Sequence, residues 1–252
     1  MAETSASARA RPAGAVADAD APGVLGLSAG FQPALRPFLA AHGAVLPGLA
    51  LMDSPEALIA SVAEARPDYV LMASADTPPA FLSRVAAASR TASIGVLLLD
   101  DGEGRSWDLP PGVIADHVAP RDTEAEVVLT LRALMRRCRP QAMAGRIAHG
   151  DLVLDEGCLT FAIRGAATAL SLETFGVIGA MMDDPGAVWD RGRLHALVFG
   201  RRSRNDIRAI DTRVSRARRH LVAALGLDPI RTVRGVGYAL VPGPARLMPP
   251  ER

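Results

Sequence analysis

Eight arginines lie between positions 201 and 219 (201, 202, 204, 208, 213, 216, 218 and 219), set against two carboxylates, Asp206 and Asp211. Guanidinium groups crowded onto one short surface repel each other unless water or an anion neutralises them. Duplex phosphate is such an anion, and the same planar forks can take guanine edges through paired hydrogen bonds. A solvated basic face that only prevents aggregation would carry the same charge, so charge alone does not decide. The segment that follows separates the two readings. Residues 230–240 alternate their side chains around glycines, which predicts a β-hairpin with Arg231 and Arg234 beside Tyr238. A basic helix joined to a basic hairpin is what a winged helix needs: helix in the major groove, wing along the neighbouring minor groove.

The elements that must position these groups are legible nearby. Over 205–225, Ile207, Ile210, Val214, Ala217, Leu221 and Leu225 recur at three- and four-residue steps and form one apolar stripe, predicting an amphipathic helix. Upstream, 172–182 reads as a helix capped by Ser171 and stopped by Asp184, Pro185 and Gly186, and 191–199 as a second, short helix. Residues 152–154, 159–163 and 167–170 read as strands, and 139–149 as a linker without a clear period.

The region before the linker alternates short apolar runs with helical patterns. Strands are predicted over 24–28, 44–51, 69–73, 94–99 and 117–119, and helices over 32–42, 55–66, 79–89 and 123–137. The run 94–99 is apolar throughout, the mark of a strand covered on both faces. The alternation predicts a doubly wound, five-stranded parallel sheet of the α/β class, followed by an α+β winged-helix domain. Between Asp100 and Ala115, two glycines followed by Pro110, Pro111 and Gly112 disfavour the helix expected there.

Composition narrows the functional classes. The chain has 252 residues and a net charge of +1, yet residues 1–140 hold 12 arginines against 16 acids while residues 141–252 hold 16 against 11. Such opposition between halves points to different partners. Every one of the 28 basic residues is arginine. No apolar run reaches a membrane span, and the first 22 residues lack the apolar core of a secretory signal, so a disordered tail and no membrane partner are expected. Cys138 and Cys158 do not stand at ligand spacing, and the five histidines are scattered, so neither metal nor cofactor is expected. Asp76, Asp100 and Asp101 could reach the carboxyl edge of the sheet, where open α/β sheets bind ligands, but read better as solvated loop acids.

The segments 150–155, 170–175, 211–221 and 231–238 together resemble the effector domain of OmpR/PhoB-type response regulators. That resemblance implies residues 150–243 as the DNA-binding domain, 23–138 as a receiver-like domain, and 1–22 and 244–252 as tails. It implies that Arg213, Ser215, Arg216, Arg218 and Arg219 face the major groove or its phosphates, that Arg191 and Arg208 hold the backbone, and that Arg234 enters the minor groove with Thr232 and Tyr238 beside it. It also implies that Arg201, Arg202 and Arg204 lie in the loop that meets RNA polymerase. The implied partners are double-stranded DNA at direct-repeat promoter sites, RNA polymerase, and a second copy docked through the helix at 123–137. The implied location is the bacterial cytoplasm.

The receiver resemblance is one of layout. Residues 66–72 match what precedes a phosphoacceptor aspartate, but Ala73 stands at that position. Ser28 and Ala29 stand where receivers carry acids that hold Mg²⁺, and a chain without lysine lacks the usual phosphate-binding cation. Phosphoryl transfer needs nucleophile, metal and cation together. The expectation is therefore an atypical regulator, not an enzyme, that works without phosphorylation. Two other readings stay open: a regulator gated by a ligand or partner in the altered receiver pocket, and a winged helix that contacts only polymerase.

Overall fold

In the computed structural model, which describes residues 26–241 apart from 76, 90, 101–108, 144 and 202, the chain forms two domains joined through a broad contact. The expected tails at 1–22 and 244–252, together with Asp76, Asp101 and Arg202, lie outside the described residues. The first domain runs β1 (Gly26–Ala29), α1 (Leu35–His42), β2 (Leu49–Met52), α2 (Pro55–Ala65), β3 (Tyr69–Ala73), α3 (Pro79–Ala88), β4 (Ile94–Leu99), β5 (Val113–Val118) and α4 (Glu124–Cys138). All pairings are parallel, in the order β2-β1-β3-β4-β5. Every residue of β3 and β4 is buried, as an apolar run between two helical layers requires.

Helix starts follow their local chemistry. Ser54 accepts a hydrogen bond from the Ala57 amide with Pro55 in the first turn, and Thr123 and Glu126 close a reciprocal capping box at the start of α4. Two sequence expectations shift. The stretch at 43–45 is a 3₁₀ turn, so β2 begins at Leu49; and β5 starts at Val113, directly after the Pro-Pro-Gly run that obscured it.

The second domain opens with an antiparallel meander, β6 (Arg146–His149), β7 (Leu152–Asp155), β8 (Thr160–Ile163) and β9 (Ala166–Thr168). Its first strand falls inside the segment read as linker, so the sheet begins at Arg146. Three helices follow, α5 (Leu172–Asp183), α6 (Arg191–Phe199) and α7 (Ala209–Leu225), and then the hairpin β11 (Ile230–Val233) and β12 (Gly237–Leu240). The two-residue strand β10 (Trp189–Asp190) adds to β12 and makes a three-stranded sheet. Helix α7 starts at Ala209 rather than 205. Four of its six expected stripe residues, Ile210, Val214, Ala217 and Leu221, are buried against Phe175, Ile178, Leu194 and Val198, whereas Ile207 precedes the helix and is exposed.

Gly237 sits where β12 crosses β10. A Cβ there would collide with the Trp189 main-chain carbonyl. Gly237→Ala should force the strands apart and lower stability by about 1–3 kcal/mol, read as a drop in thermal midpoint by circular dichroism.

Candidate nucleic-acid interface

Helix α7 presents Thr212, Ser215, Arg216, Arg219 and His220 to solvent, and the hairpin adds Arg231 and Arg234, also exposed. Arg216, Arg219, Arg231 and Arg234 have no ion-pair partner among the described residues. Arg208 is exposed at the N-cap of α7. Arg213 is half-buried, its Nε 3.9 Å from Glu173. A hydrogen bond from its own backbone amide holds the Glu173 carboxyl below the usual range against partial burial, helped less by Ser171, whose hydroxyl caps α5, and by the nearby Arg213 and Arg216.

Other expected contact residues are committed within the protein. Arg218 donates from one NH₂ group to the Ile230 carbonyl at 2.7 Å and to Thr232 Oγ1 at 2.6 Å, and its Nε lies 3.0 Å from Asp228. Arg191 donates through Nε to Asp211 at 2.8 Å, and its guanidinium stacks 5.0 Å from the Tyr238 ring centre. The Tyr238 hydroxyl donates to the same Asp211 oxygen at 2.5 Å. Arg191, Arg218, Thr232 and Tyr238 are thus brought together, but around a carboxylate and a strand rather than on an open face. Sequence reading missed Asp211 and Asp228 as members of this cluster. The available signal was an acid in the first turn of an otherwise cationic helix.

On the far side of the domain, the loop after α6 meets the first domain. The Arg201 amide donates to Asp116 at 3.1 Å, its guanidinium pairs with Asp122 at 2.7 Å, and Arg137 pairs with Asp116 at 2.5 Å. Arg204 is exposed. Deeper in the seam, Arg132 of α4 reaches Glu156 at 2.6 Å and Asp183 at 2.7 Å; Arg136 reaches the same two acids, at 3.2 Å for Asp183. All four side chains are at most 11% exposed. Gly179 of α5 lets the Arg136 guanidinium approach, since a Cβ there would lie 3.3 Å from its central carbon. The outer face of α4, expected to receive a second copy, is therefore covered by the chain's own second domain.

Burial alone would raise the Glu156 carboxyl, but Arg136 and Arg132 outweigh it and hold it below the usual range. A depressed folded pKa stabilises fully above the unfolded glutamate value, about 4.3, and that contribution is lost as pH falls through the folded value. Acidification below about pH 4 should therefore loosen the seam, read by small-angle scattering as a rise in radius of gyration.

At the carboxyl edge of the parallel sheet, the Ala73 amide donates to Gln32 Oε1 at 2.6 Å, Gln32 Nε2 donates to Thr77 at 3.3 Å, and Thr77 donates to the Ala73 carbonyl at 2.7 Å. Gln32, Ala73, Thr77 and Ser28 are all buried. Gln32, Thr77 and the Ala73 main chain thus form a closed set of neutral hydrogen bonds at this edge. No group of His, Cys, Asp and Glu among the described residues could hold a metal ion.

Residues 165–240 match the family model for the transcriptional regulatory protein, C-terminal domain. The chain is 31% identical over 125 residues to the phosphate regulon transcriptional regulatory protein PhoB of Rhizobium meliloti, covering 50% of this chain and 55% of that protein. It is 30% identical over 138 residues to the response regulator protein PmrA of Pseudomonas aeruginosa, covering 50% and 60%. It thus spans little more than half the length of these relatives. The solved DNA-binding domain of the response regulator AdeR, in complex with an intercistronic region, is 28% identical over 38% of this chain and 97% of that domain, with a TM-score of 0.35. No helix among the described residues is long and apolar enough to cross a membrane.

Proposed function

We propose that this protein carries an effector domain of the OmpR/PhoB type and regulates transcription by gripping duplex DNA with α7 and the β11–β12 wing, a reading supported by the match of residues 165–240 to the transcriptional regulatory C-terminal family. The observation that carries the reading is the set of exposed guanidinium groups without ion-pair partners, Arg216 and Arg219 on α7 and Arg231 and Arg234 on the hairpin, beside the exposed Ser215 and Arg208. Arg216 and Ser215 are assigned to base edges, Arg208, Arg213 and Arg219 to phosphates, and Arg234 to the minor groove. Regulation is independent of aspartyl phosphate: Ala73 offers no nucleophile, and Gln32 and Thr77 occupy the space beside it. The same filling argues against a ligand in that pocket. Two copies on a direct-repeat promoter would meet through surfaces other than the outer face of α4, and polymerase would reach Arg201 and Arg204 only at the edge of the seam.

The test is fluorescence anisotropy with labelled duplexes across a salt series. Log affinity should fall linearly with log salt, by a slope of about 0.9 per phosphate contacted. Failure to bind any duplex in dilute buffer overturns the proposal. Treatment with acetyl phosphate should leave both affinity and mass unchanged.

A further inference from the structure

The acid in the first turn of α7 runs against the charge of its surroundings. Asp211 is the shared acceptor for a group from each of two other elements: Nε of Arg191, at the start of α6, and the hydroxyl of Tyr238, on β12. Partial burial alone would raise the Asp211 carboxyl, but those two hydrogen bonds outweigh it and hold it below the usual aspartate range. The Tyr238 ring has a guanidinium near it from α6, Arg191 at 5.0 Å, and another from α7, Arg218 at 5.7 Å. Arg218 then bonds the other strand of the hairpin through Ile230 and Thr232. Helix and hairpin are therefore tied at two points, Asp211 to β12 and Arg218 to β11, about seven residues apart along α7, roughly two helical turns. Two separated ties fix an orientation as well as a distance, which a single contact does not.

We infer that Asp211 is a positioning residue that sets the angle of the wing against α7, so that Arg234 and the base-facing side chains of α7 meet one duplex together. Arg191, Arg218, Thr232 and Tyr238 serve this clamp. The inference rests on the DNA-binding reading above. It predicts the opposite sign from simple electrostatics. Deleting a carboxylate from a surface that faces phosphate should strengthen binding if charge is all that matters. If the clamp sets the wing, deletion weakens binding although the protein becomes more cationic.

The experiment is a double-mutant cycle on the full chain, using anisotropy with one duplex that the wild type binds. Asp211→Ala should weaken binding by about fivefold or more. Arg234→Ala, which weakens the wild type, should have little further effect in the Asp211→Ala background, because a displaced wing no longer places that arginine. Tyr238→Phe keeps the ring near both guanidiniums and removes only the hydroxyl, so it should reproduce the coupling in a protein whose thermal midpoint is close to wild type. Tighter binding by Asp211→Ala, or an additive cycle with Arg234→Ala for both variants, overturns the clamp. A wild-type protein that binds no duplex overturns the DNA-binding proposal instead.

Discussion

Glu156→Ala should destabilise the protein by about 3–5 kcal/mol, because it leaves two buried guanidiniums without one of their two acceptors. Glu156 is 1% exposed and accepts from both Arg132 and Arg136, and only Asp183 remains to face both cations once it is gone. Desolvating two arginines against a single carboxylate is the costly case, so the loss exceeds what any exposed pair here contributes. Arg164–Asp151, half in solvent, should cost under about 1 kcal/mol when broken. The comparison variant replaces all four charges with apolar residues of similar volume. Removing both signs together deletes the desolvation penalty along with the attraction, so its loss should be much smaller than that of Glu156→Ala. Guanidinium denaturation followed by circular dichroism measures both. Equal losses for Glu156→Ala and Asp151→Ala would show that the seam is not a buried lattice. Because the lattice joins two domains, Glu156→Ala should also split a single unfolding transition into two.

Arg216→Ala should weaken specific DNA binding by about 1–3 kcal/mol, the range for losing a paired contact to a base edge. Arg216 is exposed and makes no ion pair among the described residues, so its truncation removes only a weak through-solvent attraction to Glu173 from the folded protein, and the loss reports chiefly on the complex. Its effect should depend on sequence, large on the cognate duplex and small on a scrambled one. Arg234→Ala should instead weaken both, and lower the salt slope by about one phosphate equivalent, because a wing arginine works through groove potential and backbone. Anisotropy on cognate and scrambled duplexes, at several salt concentrations, separates the two. Unchanged affinity for both variants would remove α7 and the wing from the interface.

Much of the fold could be read from local pattern. The apolar run of β4, the Ser54 and Ser171 caps, and the stripe Ile210, Val214, Ala217 and Leu221 are each set by neighbours within a few residues, where period and capping chemistry act. The elements that escaped are those made by distant pairing. Strand β6 is four half-exposed residues held by β7, and β10 is two residues held by β12. Neither has enough length or alternation to signal a strand alone. The start of β5 was hidden because Pro110, Pro111 and Gly112 break a helix and also lead directly into a strand paired with β4.

The site divides the same way. The presence of a cationic helix followed by a cationic hairpin is a property of the chain, since charge and periodicity are written residue by residue. Which guanidiniums remain available to a partner is not. Arg216 and Arg218 differ by two positions, yet one is open and the other is held by β11 and Asp228, because two steps along a helix turn a side chain to a different neighbour. Arg136 finds acceptors 20 and 47 positions away, and α4 is thereby tied to the chain's own second domain. Ion pairing depends on which charges the packed core brings within a few ångströms, and that distance exists only after folding.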